Sequence, residues 1–285
     1  MWSADLKAAL GQRLNLEGIV SSAMVVVKDR HMALPHVSVP DIRYIDWIEL
    51  HRRGFKGVVF DKDNTLTAPY SLKLWGPLSS SLELCKSVFG PEIAVFSNSA
   101  GLYEYDIDGS KARELEGVIG IKVIMHTSIC CALEVKKPAG RAEEIENHFG
   151  CKSSQLIMVG DRPFTDIVYG NRNGFLTILT EPLSLAEEPF IVRQVGFPSR
   201  LISSLFPSEE LAIKLLQEER NLKMDIANEP ADVLHSPNFF HCPWYWHVRK
   251  LETALVKHWF RRGLKPTSHI LLSDALLYVK NTPSL

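Results

Sequence analysis

The sequence predicts a three-layer α/β protein built on a parallel sheet. Three observations predict it. Short apolar runs recur through residues 55–185: Val58–Phe60, Ile93–Phe96, Ile121–Met125, Leu156–Val159 and Phe175–Leu179. Polar helical stretches, such as Arg141–Phe149, lie between them. Three of the runs stop at polar residues suited to chemistry, namely Asp61, Ser97 and the pair Gly160-Asp161. Continuous apolar strands alternating with helices describe a sheet covered on both faces. In such sheets ligands bind outside the carboxyl ends of the strands, where these polar residues fall.

The elements follow in order. Residues 1–54 read as a helical segment with interruptions. Trp2, Leu6, Leu10 and Leu14 recur every four residues and form one apolar stripe. Lys7 and Arg13 are balanced by Asp5 and Glu17, so the stripe suits packing on the domain or a membrane surface. Pro40 and Asp41 open a second helix, with Ile45 and Ile48 on one face and Gly54 at its end. Residues 55–195 form the α/β core, in which Gly174 is placed to cap a helix before the last strand. Residues 196–248 are broken by Gly196, Pro198, Pro207, Pro230, Pro237 and Pro243, around one good helix from Glu209 to Leu222. They read as a poorly packed insertion. Joining Val195 directly to Arg249 would put Ile191, Val195, Leu251 and Leu255 on one continuous stripe. Residues 249–285 read as a C-terminal helical segment, its clearest helix running from Lys250 to Phe260.

Composition narrows the function classes. Lys and Arg number 32 against 33 Asp and Glu, a net charge of −1, so nothing marks a nucleic-acid partner. The run Ala23–Val27 is far short of the roughly 20 apolar residues of a spanning helix. The five cysteines show no CxxC spacing, which argues against a zinc site or a disulfide framework and for a reducing compartment.

The chemistry concentrates at four places. Val58-Val59-Phe60 ends in Asp61 and Asp63, two carboxylates that repel unless a cation or a shared proton offsets them. Phe96-Ser97-Asn98-Ser99 supplies small donors suited to phosphate oxygens. Lys136-Lys137-Pro138 is placed to open a helix, which puts a cation beside a helix N-terminus. Gly160-Asp161 through Asp166 adds two more carboxylates. Thr65 suits either a turn or an orienting bond to Asp63, and Asp106-x-Asp108-Gly109 reads as a turn because the rest of a calcium loop is missing.

The order D-x-D-x-T, S-N-S, K-P and G-D-x-x-x-x-D resembles the haloacid dehalogenase superfamily of aspartate-nucleophile phosphohydrolases. FDKDNTLT (60–67), FSNSAG (96–101), YDIDGSKA (105–112), KKPAG (136–140) and VGDRPFTDI (159–167) are more closely similar to the phosphatidylglycerophosphate phosphatase family of mitochondria and plastids. The resemblance spans roughly residues 14–195 and implies a Rossmann-like, haloacid dehalogenase-like parallel sheet without a large cap domain. It further implies that Asp61 is the nucleophile, forming an aspartyl-phosphate, and that Asp63 is the general acid and base. Ser97 and Lys137 would hold the phosphoryl oxygens, with Asn98 assisting and Lys136 replacing Lys137 if the loop register shifts by one. Asp61, the backbone carbonyl of Asp63, and Asp161 would bind Mg²⁺. Asp166 would join them or orient Lys137. Hard carboxylate ligands suit Mg²⁺ over zinc.

Only about 30 residues separate Asp63 from Ser97 and about 40 separate Ser97 from Lys137, too few in either gap for a cap domain. An open site suits a substrate carried on something large. The resemblance selects a phospholipid at a membrane surface: phosphatidylglycerophosphate, hydrolysed to phosphatidylglycerol on the route to cardiolipin and plastid lipids. It also implies a peripheral position at the inner membrane of a mitochondrion or plastid. Alternative readings are another Mg²⁺-dependent phosphomonoesterase of the superfamily, acting on a protein or sugar phosphate, or an inactive isoform. Two departures bear on the last of these: the 196–248 segment, and an extra stretch, Thr127–Val135 with Cys130-Cys131, just before Lys136.

Overall fold

The computed structural model describes residues 25, 28–69, 71–97, 106, 108–125, 137–138, 140–183 and 243–272. The expected N-terminal stripe, the Glu209–Leu222 helix, most of 196–248, Asn98, the Cys130-Cys131 stretch and Lys136 lie outside them. Residues 1–183 with 259–285 form one unit and residues 184–258 a second.

Six strands carry the first unit: β1 (Val37–Val39), β2 (Gly57–Phe60), β3 (Ile93–Val95), β4 (Lys122–Val123), β5 (Leu156–Gly160) and β6 (Leu176–Thr180). Every pairing is parallel, in the order β1-β6-β5-β2-β3-β4. The predicted parallel α/β fold is therefore the observed one. The strand pleat explains the apolar runs. Val58 and Phe60 of β2 join one core cluster, with Val95, Ile157, Val159 and Trp47, while Val59 joins the other, with Ala94, Met158, Tyr169 and Phe175. A strand buried on both faces needs apolar residues at every position rather than every second one.

Among the described residues the α-helices are α1 (Trp47–Arg52), α2 (Ser79–Phe89), α3 (Ser110–Ile119), α4 (Glu143–Phe149), α5 (Val168–Asn173) and α6 (Pro243–Arg261). A single π turn, Pro163–Ile167, leads into α5. Gly174 ends α5 at φ +80°, a left-handed conformation that a side chain disfavours, as its predicted capping role requires. Asp106 caps the start of α3, its carboxylate accepting from the backbone N–H of Lys111 and Ala112. The backbone turns from Asp106 to Gly109 through a bond of 3.1 Å.

Several elements differ from the sequence expectation. Val37–Val39, inside the stretch read as helical, is the edge strand of the sheet and pairs with Ile178–Thr180. The helix expected from Pro40 to Gly54 is a 3-10 turn, Ile42–Tyr44, followed by α1. Asp41 and Asp46 each accept a backbone N–H, from Arg43 and Glu49, and these two separate caps divide the segment. Helix α6 begins at Pro243, within the residues assigned to the insertion, rather than near Lys250. Of the second unit the structure describes only residues 243–258, where Glu252, Leu255 and Val256 are buried.

Candidate active site

Strand β2 is central, and the chain leaves it toward β3 on one side and returns to it through β5 on the other. This is the topological switch point, where an open sheet offers a crevice at its carboxyl edge. Asp61 and Asp161 follow β2 and β5 directly at that edge, and Ser97 follows β3 one residue further on, after Phe96.

The loop after β2 is closely folded. The Lys62 carbonyl accepts from the N–H groups of Leu66 (3.0 Å) and Thr67 (3.1 Å). Asn64 makes the reversal at φ +63°, and its N–H donates to the Thr67 carbonyl at 2.7 Å. Asparagine tolerates this left-handed region better than most residues. Lys62, only 3 % exposed, donates from Nζ to Asp63 Oδ1 at 2.5 Å and to the Ser71 carbonyl at 3.0 Å. Thr65 is buried, and among the described residues its Oγ1 has no hydrogen-bond partner, so an orienting bond to Asp63 is not formed.

At the centre is Lys137, 1 % exposed. Its Nζ lies 2.6 Å from Asp61 Oδ1 and 2.6 Å from Asp166 Oδ1, and 5.6 Å from the centre of the Phe96 ring. Burial would lower the ammonium's pKa, but the charges of Asp166 and Asp61 outweigh it, so Lys137 is raised and held protonated. Burial pushes the Asp166 carboxyl upward, against the opposing pull of Lys137. Asp166 Oδ2 also accepts from the Arg162 N–H at 3.1 Å. The π turn brings Asp166 so close to the end of β5 that a Cβ on Gly160 would lie 2.5 Å from the Asp166 side chain. Only glycine fits there.

Asp61, Asp161 and Asp166 each offer a carboxylate oxygen within 4.8 Å of the others. The described site holds four carboxylates, with Asp63, against two ammonium groups, Lys62 and Lys137. An all-oxygen donor set with surplus negative charge fits a hard divalent cation.

The structure thus brings together Asp61, Asp161, Asp166 and Lys137, and places Asp63 and the buried Ser97 on the same edge. One expectation is corrected. Lys137-Pro138 is a turn with a cis peptide bond, and the next helix starts only at Glu143, so Pro138 does not open it. The local charge comes from side chains instead. Sequence reasoning missed Lys62: a lysine between two acids reads as solvated, and no local pattern shows that it is buried.

A family model described as mitochondrial PGP phosphatase matches residues 16–184. The chain is 59 % identical over 280 residues to phosphatidylglycerophosphate phosphatase 1, chloroplastic/mitochondrial, of Arabidopsis thaliana, covering 98 % of this chain and 63 % of that protein. It is 45 % identical over 183 residues to phosphatidylglycerophosphate phosphatase 1, chloroplastic, of Chlamydomonas reinhardtii, covering 64 % and 65 % of the two chains. A mitochondrial phosphatidylglycerophosphatase of Saccharomyces cerevisiae is 29 % identical over 166 residues, 56 % of this chain and 84 % of that one. The matches thus span somewhat less than two thirds of the plant and algal relatives. No solved structure matches the chain.

Proposed function

The chain belongs to the mitochondrial PGP phosphatase family, and from that premise we propose that it hydrolyses phosphatidylglycerophosphate to phosphatidylglycerol and inorganic phosphate. The observation that carries the reading is the buried Lys137, shared between Asp61 and Asp166 beside Asp161. A carboxylate attacking a phosphate dianion meets strong repulsion, and positive charge at the attacking oxygen offsets it.

In the first step an oxygen of Asp61 forms a bond to phosphorus as the ester P–O bond breaks. Asp63 gives its proton to the departing glycerol oxygen. In the second step Asp63 takes a proton from water, the water oxygen bonds to phosphorus, and the bond from phosphorus to Asp61 breaks. Phosphate leaves and both aspartates return to their starting states. Lys137, with Ser97 and Asn98, holds the phosphoryl oxygens. Asp166 aims the lysine, both of its oxygens being taken by protein donors. Asp61, Asp161 and the Asp63 carbonyl would hold Mg²⁺, with Asp166 close enough to join them; the ion would supply charge neutralisation at the phosphoryl group. The substrate is presented at a membrane surface, in a mitochondrion or plastid as the relatives' names indicate. No helix among the described residues is long and apolar enough to cross a membrane.

The test is phosphate release from phosphatidylglycerophosphate in detergent micelles, with and without Mg²⁺, for the wild type and Asp61→Asn. Release should require Mg²⁺ and should vanish in the variant, because an amide does not attack phosphorus. Substantial turnover by Asp61→Asn would remove Asp61 as nucleophile. A panel of phosphopeptide and sugar phosphates separates the lipid from other monoesters.

A further inference from the structure

Two buried lysines pair with three of the four carboxylates of the site. Lys137 takes Asp61 and Asp166, while Lys62 takes Asp63. An ammonium is costly to bury unless it is paired and hydrogen-bonded, and an apolar residue would fill the same space at less cost. Lys62 is buried to 3 % exposure, yet it faces a carboxylate that is 22 % exposed. Its second bond, to the Ser71 carbonyl at 3.0 Å, ties that carboxylate to the far side of the loop. The backbone of Lys62 is held as well, its carbonyl accepting from Leu66 and Thr67. The side chain therefore has a fixed origin and two fixed ends.

We propose that Lys62 is a positioning residue that holds the Asp63 carboxylate in place for proton transfer to the leaving group. The inference rests on the phosphatase reading above, in which Asp63 is the acid and base. In this role Lys62 donates to Asp63 Oδ1 and leaves Oδ2 to carry and pass the proton. It acts through Asp63 Oδ1, and its bond to Ser71 makes the 62–71 loop the frame on which the acid is set.

Leaving-group dependence separates this role from simple stabilisation. A glycerol oxygen leaves poorly without a proton, whereas 4-nitrophenolate leaves without one. A well-placed general acid contributes about 10²- to 10⁴-fold. The full chain is assayed with Mg²⁺ by first-turnover rates on phosphatidylglycerophosphate in micelles and on 4-nitrophenyl phosphate. Lys62→Met should lose about 100-fold or more on the lipid but less than about 5-fold on the aryl ester. The aryl ester should also give a burst of nitrophenolate, since hydrolysis of the aspartyl-phosphate still needs Asp63. Lys62→Arg should recover most of the lipid rate, and Lys62→Gln should fall between Arg and Met. If Lys62→Met does not fold, Lys62→Gln and Lys62→Arg carry the same comparison. Equal losses on both substrates in a folded variant, or no loss on either, overturn the positioning role. A wild type that releases phosphate from neither substrate overturns the phosphatase reading and this inference together.

Discussion

At the scale of single residues, Lys137 carries two burdens, one structural and one chemical. It is the cation shared by two carboxylates in a space nearly closed to water. Removing one member of a buried ion pair leaves charge uncompensated, typically at about 3–5 kcal/mol. Lys137→Ala should therefore lower the urea midpoint by a corresponding amount and reduce phosphate release by about 100-fold or more, as loss of one transition-state donor typically does. Lys136→Ala should do neither. The reverse ranking would shift the loop register by one. The signals for Asp61, Ser97, Lys137, Asp161 and Asp166 were legible because apolar runs stop abruptly at Asp61, Ser97 and Asp161, Asp166 follows Asp161 by five residues, and Lys137 stands in a Lys-Lys-Pro motif. Lys62 was hidden for the opposite reason. Its sequence neighbours are acids, and its burial arises from a loop closed by Ser71, nine residues later.

At the scale of elements, β1 shows how pairing escapes a local reading. The three residues Val37–Val39, between Pro35 and Pro40, are too short a run for their alternation to mark a strand, and the partner strand β6 lies about 140 residues downstream. A buried polar network fixes this edge. His36 Nδ1 lies 3.1 Å from the Thr177 backbone nitrogen and 2.7 Å from Thr177 Oγ1, and its Nε2 meets Thr267 Oγ1 at 3.2 Å. Asn171 donates to the carbonyls of Met32 and Leu34. Burial first, then the neighbouring His269, lowers the pKa of His36 to about 4. The folded state thus keeps the ring neutral where an unfolded chain would protonate it near 6.5. The stability from this neutral ring is fully present above about pH 6.5 and is lost as pH falls toward 4, a change of about 3 kcal/mol. Urea unfolding at pH 7.5 and pH 4.5 should show the decline. His36→Gln, which retains an acceptor for the Thr177 N–H, should flatten it. An unchanged slope in that variant would take His36 out of the pH response.

At the scale of the whole molecule, the sheet and every described residue of the site lie within residues 37–183. The absence of room for a cap between the motifs was readable from spacing alone. The interval 196–248 was legible only as one helix, Glu209 to Leu222, because the proline-rich text around it has no periodicity. We propose that this interval is dispensable for catalysis. Deleting Gly196 to Val248 removes the first six residues of α6 together with the rest of the segment. The shortened chain should keep its Tm within a few degrees and its phosphate release within about 3-fold, close to the ±0.5 kcal/mol usual for changes away from packed features. A deletion that unfolds the protein, or abolishes turnover while it remains folded, would make the segment integral to the enzyme.

The strand order has a consequence for how the protein is made. Strand β2 emerges from the ribosome early, carrying Asp61 and Asp63, but its neighbour β5 is synthesised about 95 residues later. Throughout that interval the two carboxylates exist without Asp161 and Asp166, and Lys137 is added only about 20 residues before β5. The nascent chain therefore passes through a long stage in which it holds Asp61 and Asp63 without the two carboxylates that complete the cluster. The crevice comes into being only when β5 slots in beside β2, a contact distant in sequence and correspondingly slow to form. The complete carboxylate cluster is thus among the last features the growing chain acquires, and a product cut short before Leu156 lacks Asp161 and Asp166 however well its first strands have folded.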